Sequence, residues 1–182
     1  MSKIIFILGG ARSGKSRYAA NLAKRINKRT VFIATATALD DEMKERIRLH
    51  KISRPKGWGL IEEPVDLSYV LCKLKSTYDV VLVDCMGLWV TNLLMAGIKD
   101  RAIEKKIEEF ANNIFKAKAA FTIVVSNEVG SGIVPGDPVS RKFRDLVGLA
   151  NQVLARKADK VIFMQAGIPS VIKERKTDGK IR

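Results

Sequence analysis

Eight consecutive residues near the start of the chain, Gly9-Gly10-Ala11-Arg12-Ser13-Gly14-Lys15-Ser16, place glycines, a lysine and a hydroxyl at a spacing suited to gripping a row of phosphates. The glycines let successive N–H groups turn toward phosphate oxygens, and a helix starting here adds the partial positive charge of its N-terminus. Lys15 then reaches the terminal phosphates, and the Ser16 hydroxyl offers a ligand to Mg²⁺. Such a site needs a second anchor for the ion, a carboxylate at the C-terminal end of a neighbouring parallel strand. Asp84, closing the run from Asp79, is placed for that task, with an ordinary strand-end cap as the competing reading. Asp79, at the other end of the run, should lie about 17 Å away at ~3.3 Å per residue, too far to share the ion. These residues point to a nucleoside triphosphate as ligand and to phosphoryl or nucleotidyl transfer as chemistry.

His50 is the only histidine of the chain. On a helix it follows Met43 by seven residues and Ile47 by three, at the rim of an apolar stripe. By position alone, a packed or surface histidine is the commoner outcome. Its neighbours argue for more: Arg46, Arg48, Lys51 and Arg54 surround it with phosphate-binding charge, and Pro55 ends the helix just behind it. An imidazole with an unperturbed pKa of about 6.5 is mostly neutral at pH 7 and is then a competent nucleophile toward phosphorus. Cationic neighbours favour that neutral form.

The elements that must position these groups are legible as an alternation. Short, nearly continuous apolar runs at Ile4 to Leu8, Val31 to Ala36, Val80 to Val83, Phe121 to Val125 and Val161 to Met164 suit strands buried on both faces. Helical periodicity lies between them, over Ser16 to Asn27, Asp40 to Ile52, Asp100 to Ala117 and Val139 to Arg156. Strands alternating with helices predict an α/β fold with a mainly parallel central sheet flanked by helices and joined by right-handed crossovers. Asn127 to Pro138, with three glycines and two prolines, reads as a long loop after the fourth strand. The polar tail from Glu174 to Arg182 reads as loose. Nothing divides the 182 residues, so one domain spanning 1–182 is expected, burying roughly 70% of the surface that its unfolded chain exposes.

Composition excludes more than it selects. The two cysteines, Cys72 and Cys85, have no partner histidine nearby, which argues against a zinc site or a disulfide framework and for a reduced, cytoplasmic setting. No stretch is long enough for a membrane span. Lys and Arg number 33 against 19 acidic residues, a formal charge of +14, so the surface attracts anions of many kinds. A basic module that binds nucleic acid is one reading of that excess. No recognition motif, row of stacking aromatics or basic arm accompanies the charge, so no nucleic-acid partner is expected.

Longer segments carry a resemblance. LGGARSGKSRYA at Leu8 to Ala19, FIATATALDDEMKERI at Phe32 to Ile47, HKISRPKGW at His50 to Trp58, VLVDCMGLWVTNLL at Val81 to Leu94 and SNEVGSGIVP at Ser126 to Pro135 resemble the bifunctional adenosylcobinamide kinase and adenosylcobinamide-phosphate guanylyltransferase family. SRKFRDLVGLANQVLARKADKV at Ser140 to Val161 and AGIPSVIK at Ala166 to Lys173 extend the likeness over nearly the whole chain. The resemblance implies a RecA-like P-loop NTPase fold and a homo-oligomer, a trimer. It implies phosphorylation of adenosylcobinamide by ATP or GTP, then transfer of GMP from GTP through a GMP-histidine intermediate, with His50 as that histidine. It further implies nucleotide contacts from Gly9 to Ser16, at Ala34, Thr35 and Ala36, at Lys51, Ile52, Ser53 and Arg54, and at Glu62 and Asp84. One departure stands out. After Asp84 the family pattern would run Cys-Leu-Thr, whereas this chain reads Cys85-Met86-Gly87, which removes a hydroxyl and puts the kinase half in question. Asn127 and Glu128, at a strand end beside the glycine-rich loop, are candidates for substrate contact from their position. A P-loop kinase without a covalent step, with His50 merely packed, is the rival enzyme reading.

Overall fold

The computed structural model describes residues 2–26, 29–38, 40–53, 55–74 and 78–175, with the side chains of Arg46, His50 and Ser53 outside that description. Seven strands form one sheet: β1 (Lys3–Gly9), β2 (Thr30–Ala34), β3 (Gly59–Glu62), β4 (Val80–Asp84), β5 (Phe121–Asn127), β6 (Lys160–Gln165) and β7 (Ile168–Glu174). Their order across the sheet is β3-β2-β4-β5-β1-β6-β7, parallel throughout except for β7, which runs antiparallel to β6. All five predicted strands are present, although the second ends at Ala34 and leaves Thr35 and Ala36 in the following loop.

The two strands that periodicity missed, β3 and β7, are the edges. Neither has a buried run, since every residue of β7 is exposed or half-buried, and Pro169 within it is tolerated because an edge strand need not donate outward. A two-residue turn sets the pairing of β7: Gln165 faces Ile168 across Ala166 and Gly167, whose φ values of 51° and 81° are the paired positive angles of a tight hairpin.

Among the described residues, six helices cover the sheet: α1 (Lys15–Ile26), α2 (Asp41–Ser53), α3 (Leu67–Lys73), α4 (Met86–Met95), α5 (Asp100–Asn113) and α6 (Pro138–Lys157). A 3₁₀ turn over Ile114–Ala117 prolongs α5 to the end predicted for it. Two helices escaped the sequence reading. The first, α3, has only seven residues, and α4 is apolar on nearly all sides, so it shows no amphipathic stripe. Burial explains that composition, because Met86, Trp89, Val90 and Leu93 are enclosed between the sheet and neighbouring helices. At the start of α6 the Asp137 carboxylate accepts the Ser140 N–H at 2.9 Å and Pro138 occupies the first turn, two ordinary devices for starting a helix. Residues 128–137 form the predicted loop, organised by Arg141 Nη1 donating to the carbonyls of Pro135 at 3.0 Å and Gly136 at 2.6 Å.

Alternation along the strands sorts the core into two faces. Ile4, Phe6 and Leu8 of β1 join the larger cluster, beneath α3 to α6, while Ile5 and Ile7 join a smaller one beneath α1. The helix α2 contributes to neither, and none of its described side chains is buried. Among the described residues, no helix is long and apolar enough to cross a membrane.

Trp89 and Phe110 tie the larger face together, their rings tilted with centroids 5.6 Å apart, and Trp89 Nε1 donates to the Val65 carbonyl at 2.8 Å. Phe110→Ala is expected to cost about 3–5 kcal/mol of unfolding free energy by removing a fully buried ring. Urea unfolding checks this, and a loss below about 1 kcal/mol would show that the larger face does not depend on this pair.

Candidate active site

The phosphate loop follows β1 and runs directly into α1, in the context its sequence demands. Its glycines are fixed by close approach. A Cβ placed on Gly9 would stand 2.4 Å from the carbonyl oxygen of Met164 and 2.7 Å from Ser13 Oγ, so no side chain fits there. Gly14 has φ +89°, a conformation that glycine adopts without strain. The β6–β7 hairpin supports the loop from below, with the Gly167 N–H donating to the Ser13 carbonyl at 3.1 Å. On the other side the Glu128 N–H donates to the Gly9 carbonyl at 2.9 Å. Lys15 Nζ donates to the Gly10 carbonyl at 3.0 Å, which folds the lysine back over the loop. The first turn of α1 presents backbone N–H groups that have no partner within the helix.

Register then assembles the rest. At the C-terminal edge of the sheet, Glu62 of β3 stands beside Ala34 of β2, Ala34 beside Asp84 of β4, Asp84 beside Val125 of β5, and Asn127 beside Gly9. Asp84 was expected on a strand next to β1. The structure corrects this: β5 lies between them, and Asp84 reaches the site across one intervening strand. Asp79 stays at the far end of its run, where its carboxylate accepts from the Arg29 backbone N–H and side chain at 3.3 Å.

These residues enclose a cavity of about 230 Å³. Lys15, Ser16, Asp84 and Asn127 supply polar side chains to its lining beside Ala11 and Ala34, while Phe32, Met43, Ile47 and Leu88 supply apolar ones that the motif reading did not identify. Ala36, Cys85, Lys51 and Glu62 complete the lining. Lys51 and Glu62 form an ion pair at 2.7 Å, with both side chains about half exposed, where such pairs contribute little to stability. A donor set of Ser16 and Asp84 is hard and oxygen-only. Among the described residues no cluster of three or more His, Cys, Asp or Glu exists that would hold a metal unaided. Two protein oxygens beside a phosphate loop suit an ion such as Mg²⁺ that takes its remaining ligands from phosphates and water.

Of the residues implied as nucleotide contacts, Thr35 and Ile52 are not among those lining the cavity. Thr35 is buried, its Oγ1 donating to the Cys85 carbonyl and accepting the Cys85 N–H, both at 2.8 Å. Ile52 is exposed. Arg54 and the side chain of Ser53 lie outside the described residues, as does the His50 side chain. Position 50 falls within α2, the helix whose Met43, Ile47 and Lys51 line the cavity. Glu128 turns away from the cavity into its own loop, where Oε1 accepts the Gly130 N–H at 2.6 Å.

A polar relay that no motif announced fastens the segment leading to α2. Asn92 Nδ2 donates to the carbonyls of Thr35 at 2.7 Å and Pro64 at 3.1 Å, and its Oδ1 accepts from Thr37 Oγ1 at 2.6 Å. Gly87, where the family pattern would carry a hydroxyl, lies in the first turn of α4 with the Asn127 side chain packed against it.

Comparison with known proteins agrees with this geometry. Residues 5–172 match the family model described as cobinamide kinase / cobinamide phosphate guanyltransferase. The chain is 40% identical over 167 residues to the bifunctional adenosylcobalamin biosynthesis protein CobP of Pseudomonas aeruginosa, an alignment covering 92% of this chain and 95% of that protein. It is 38% identical to the bifunctional adenosylcobalamin biosynthesis protein CobU of Escherichia coli K12, covering 93% and 99% respectively. Among solved structures, the RadB recombinase superposes with a TM-score of 0.54 at 14% identity, over 88% of this chain and 73% of that one. That likeness concerns the fold alone and identifies it as the RecA-like P-loop arrangement.

Cys85 follows the Asp84 carboxylate on the cavity wall, and its thiol pKa is pushed up to about 12, first by burial and then by the neighbouring Asp84 charge. Thiolate formation, and with it nucleophilic reactivity, is therefore suppressed. Because the folded value lies above the unfolded one, this group stabilises the fold fully below about pH 9 and progressively less as pH rises toward 12. Native protein at pH 8 should take up one equivalent of a thiol reagent, at the exposed Cys72, and two after denaturation. Rapid modification of both thiols in the native state would contradict the enclosure of Cys85.

Proposed function

Because this chain belongs to the cobinamide kinase / cobinamide phosphate guanyltransferase family, we propose that it carries out both reactions at the cavity between the phosphate loop and α2. In the first, adenosylcobinamide is phosphorylated by ATP or GTP, leaving ADP or GDP; in the second, GMP passes from GTP to the new phosphate, giving adenosylcobinamide-GDP and pyrophosphate. The observation that carries this reading is the convergence of Lys15, Ser16, Asp84 and Lys51 on one cavity.

For phosphoryl transfer, the substrate hydroxyl oxygen bonds to the γ-phosphorus as the bridge to the β-phosphate breaks, the nucleoside diphosphate leaves and the hydroxyl proton passes to solvent. No protein nucleophile is needed, since positioning and electrostatics supply most of the catalysis. Lys15 and the loop amides hold the triphosphate and offset the charge on the moving group. Ser16 and Asp84 would hold Mg²⁺, which would supply neutralisation of phosphate charge when bound.

For guanylyl transfer, the His50 imidazole attacks the α-phosphorus of GTP and pyrophosphate leaves. An oxygen of adenosylcobinamide phosphate then displaces the imidazole from the GMP-histidine, which divides one difficult displacement into two easier ones. Lys51, next to His50 and on the cavity wall, is suited to accompany the charge on the transferred phosphorus. Assembly into a trimer and a cytoplasmic setting belong to the same reading.

Incubation with α-labelled GTP, followed by denaturation, tests the covalent step. Wild-type protein should retain label that acid releases and base does not, and His50→Ala should retain none. An unlabelled wild type, or equal labelling of His50→Ala, would leave a P-loop kinase that forms no histidine intermediate.

A further inference from the structure

A helix that no core holds must be placed by its ends. None of the described side chains of α2 is buried, Leu49 and Ile52 are exposed, and neither core cluster includes the helix. Yet its Met43, Ile47 and Lys51 line the cavity. Toward its C-terminal end, Lys51 pairs with Glu62 between side chains that are each about half exposed, a contact of little strength. At its N-terminal end the fastening is of another kind.

Asn92 supplies it. Its Nδ2 donates to the carbonyls of Thr35 at 2.7 Å and Pro64 at 3.1 Å, while Oδ1 accepts from Thr37 Oγ1 at 2.6 Å. One side chain thus joins the segment before α2 to the segment after β3, and both amide hydrogens and one oxygen lone pair are committed. It stands on a firm base. The helix α4 buries Met86, Trp89, Val90 and Leu93, and Trp89 Nε1 donates to the carbonyl of Val65, the neighbour of Pro64. Leu88, one helical turn before Asn92 and so on the same side of α4, lines the cavity. Thr35 has further bonds of its own: Oγ1 is bonded to the Cys85 backbone, and its N–H donates to the Asp84 carbonyl at 3.2 Å. Thr37, two residues nearer to α2, lies beyond those bonds and is held by Asn92.

We infer that Asn92 is a positioning residue for guanylyl transfer: through Thr37 it sets where α2 begins, and so where the helix carries position 50 relative to the cavity. This rests on the GMP-histidine step proposed above. In-line attack on the α-phosphorus needs a nucleophile already close and aligned, and a misplacement of about 1 Å can cost on the order of 10²-fold. Phosphoryl transfer makes no such demand on α2. Lys15 and Ser16 belong to α1 and Asp84 ends β4, and the bonds of Thr35 to Cys85 and Asp84 hold that end of the sheet without Asn92. Losing the relay should therefore slow the second reaction and spare the first.

Two rates are measured on the full chain at saturating nucleotide: single-turnover labelling of the protein by α-labelled GTP, and phosphorylation of adenosylcobinamide by γ-labelled ATP or GTP, whichever the wild type uses. The variants are Asn92→Ala, Thr37→Val and Thr37→Ser, with thermal melts to compare their folding. Asn92→Ala should slow labelling on the order of 10²-fold and Thr37→Val about tenfold, both with phosphorylation within about threefold of wild type. Thr37→Ser, which keeps the hydroxyl, should label within about threefold of wild type. Thr37→Val carries the test should the alanine variant not fold, since it exchanges one hydroxyl for a methyl. Labelling within about threefold of wild type in either folded variant, an equal loss in both reactions, or Thr37→Ser as slow as Thr37→Val would overturn the inference. Wild-type protein that lacks either reaction would instead overturn the reading on which it rests.

Discussion

The absence of a side chain at Gly9, where a Cβ would stand 2.4 Å from the carbonyl oxygen of Met164, is the constraint from which the rest follows. It lets the loop descend between β5 and β6, close enough for the hairpin after β6 to support it at Ser13 and for Glu128 to bond Gly9. Held from both sides, the loop delivers Lys15 and Ser16 to the end of the sheet where Asp84 and Asn127 also arrive. Pre-organisation of this kind lets backbone amides and one lysine act on phosphate without rearranging.

The unequal faces of the sheet divide labour between stability and binding. Four helices and most of the large buried side chains lie on one face, where burial at roughly 25 cal/mol per Å² of apolar area is the dominant stabilising term. The helix α2 is excluded from that core. It borders the cavity with Met43, Ile47 and Lys51, and it is tied to the sheet through the Thr35, Thr37 and Asn92 relay that precedes it. Weak burial of a segment is the usual basis for local mobility, so the placement of the proposed nucleophile on this helix has a physical rationale.

What sequence could convey depended on which force fixed each element. Strands buried on both faces, such as β1 and β5, carried uninterrupted apolar runs and were legible. The edge strands β3 and β7 owe their pairing to a neighbour's backbone and to the turn at Ala166 and Gly167, which leaves no hydrophobic signature. The helix α4 was hidden by the opposite cause, since near-complete burial erases the periodicity by which helices are read. At the site, the phosphate loop and Asp84 were visible as motif and strand end. The apolar wall of Phe32, Met43, Ile47 and Leu88 was not, because those residues come from separate elements and only the fold brings them together. Asn127 could be suspected from its place at a strand end, but its meeting with Lys15, Ser16 and Asp84 at the cavity exists only in three dimensions.

The account stands on a triphosphate held by the loop from Gly9 to Ser16, and titration calorimetry with GTP and with ATP in the presence of Mg²⁺ measures that grip directly. One nucleotide should bind per chain, and Lys15→Ala should weaken binding by about tenfold or more, as expected for loss of a charge-assisted contact worth about 1.5–3 kcal/mol. Folded protein that takes up neither nucleotide, or that binds equally well without Lys15, would contradict it.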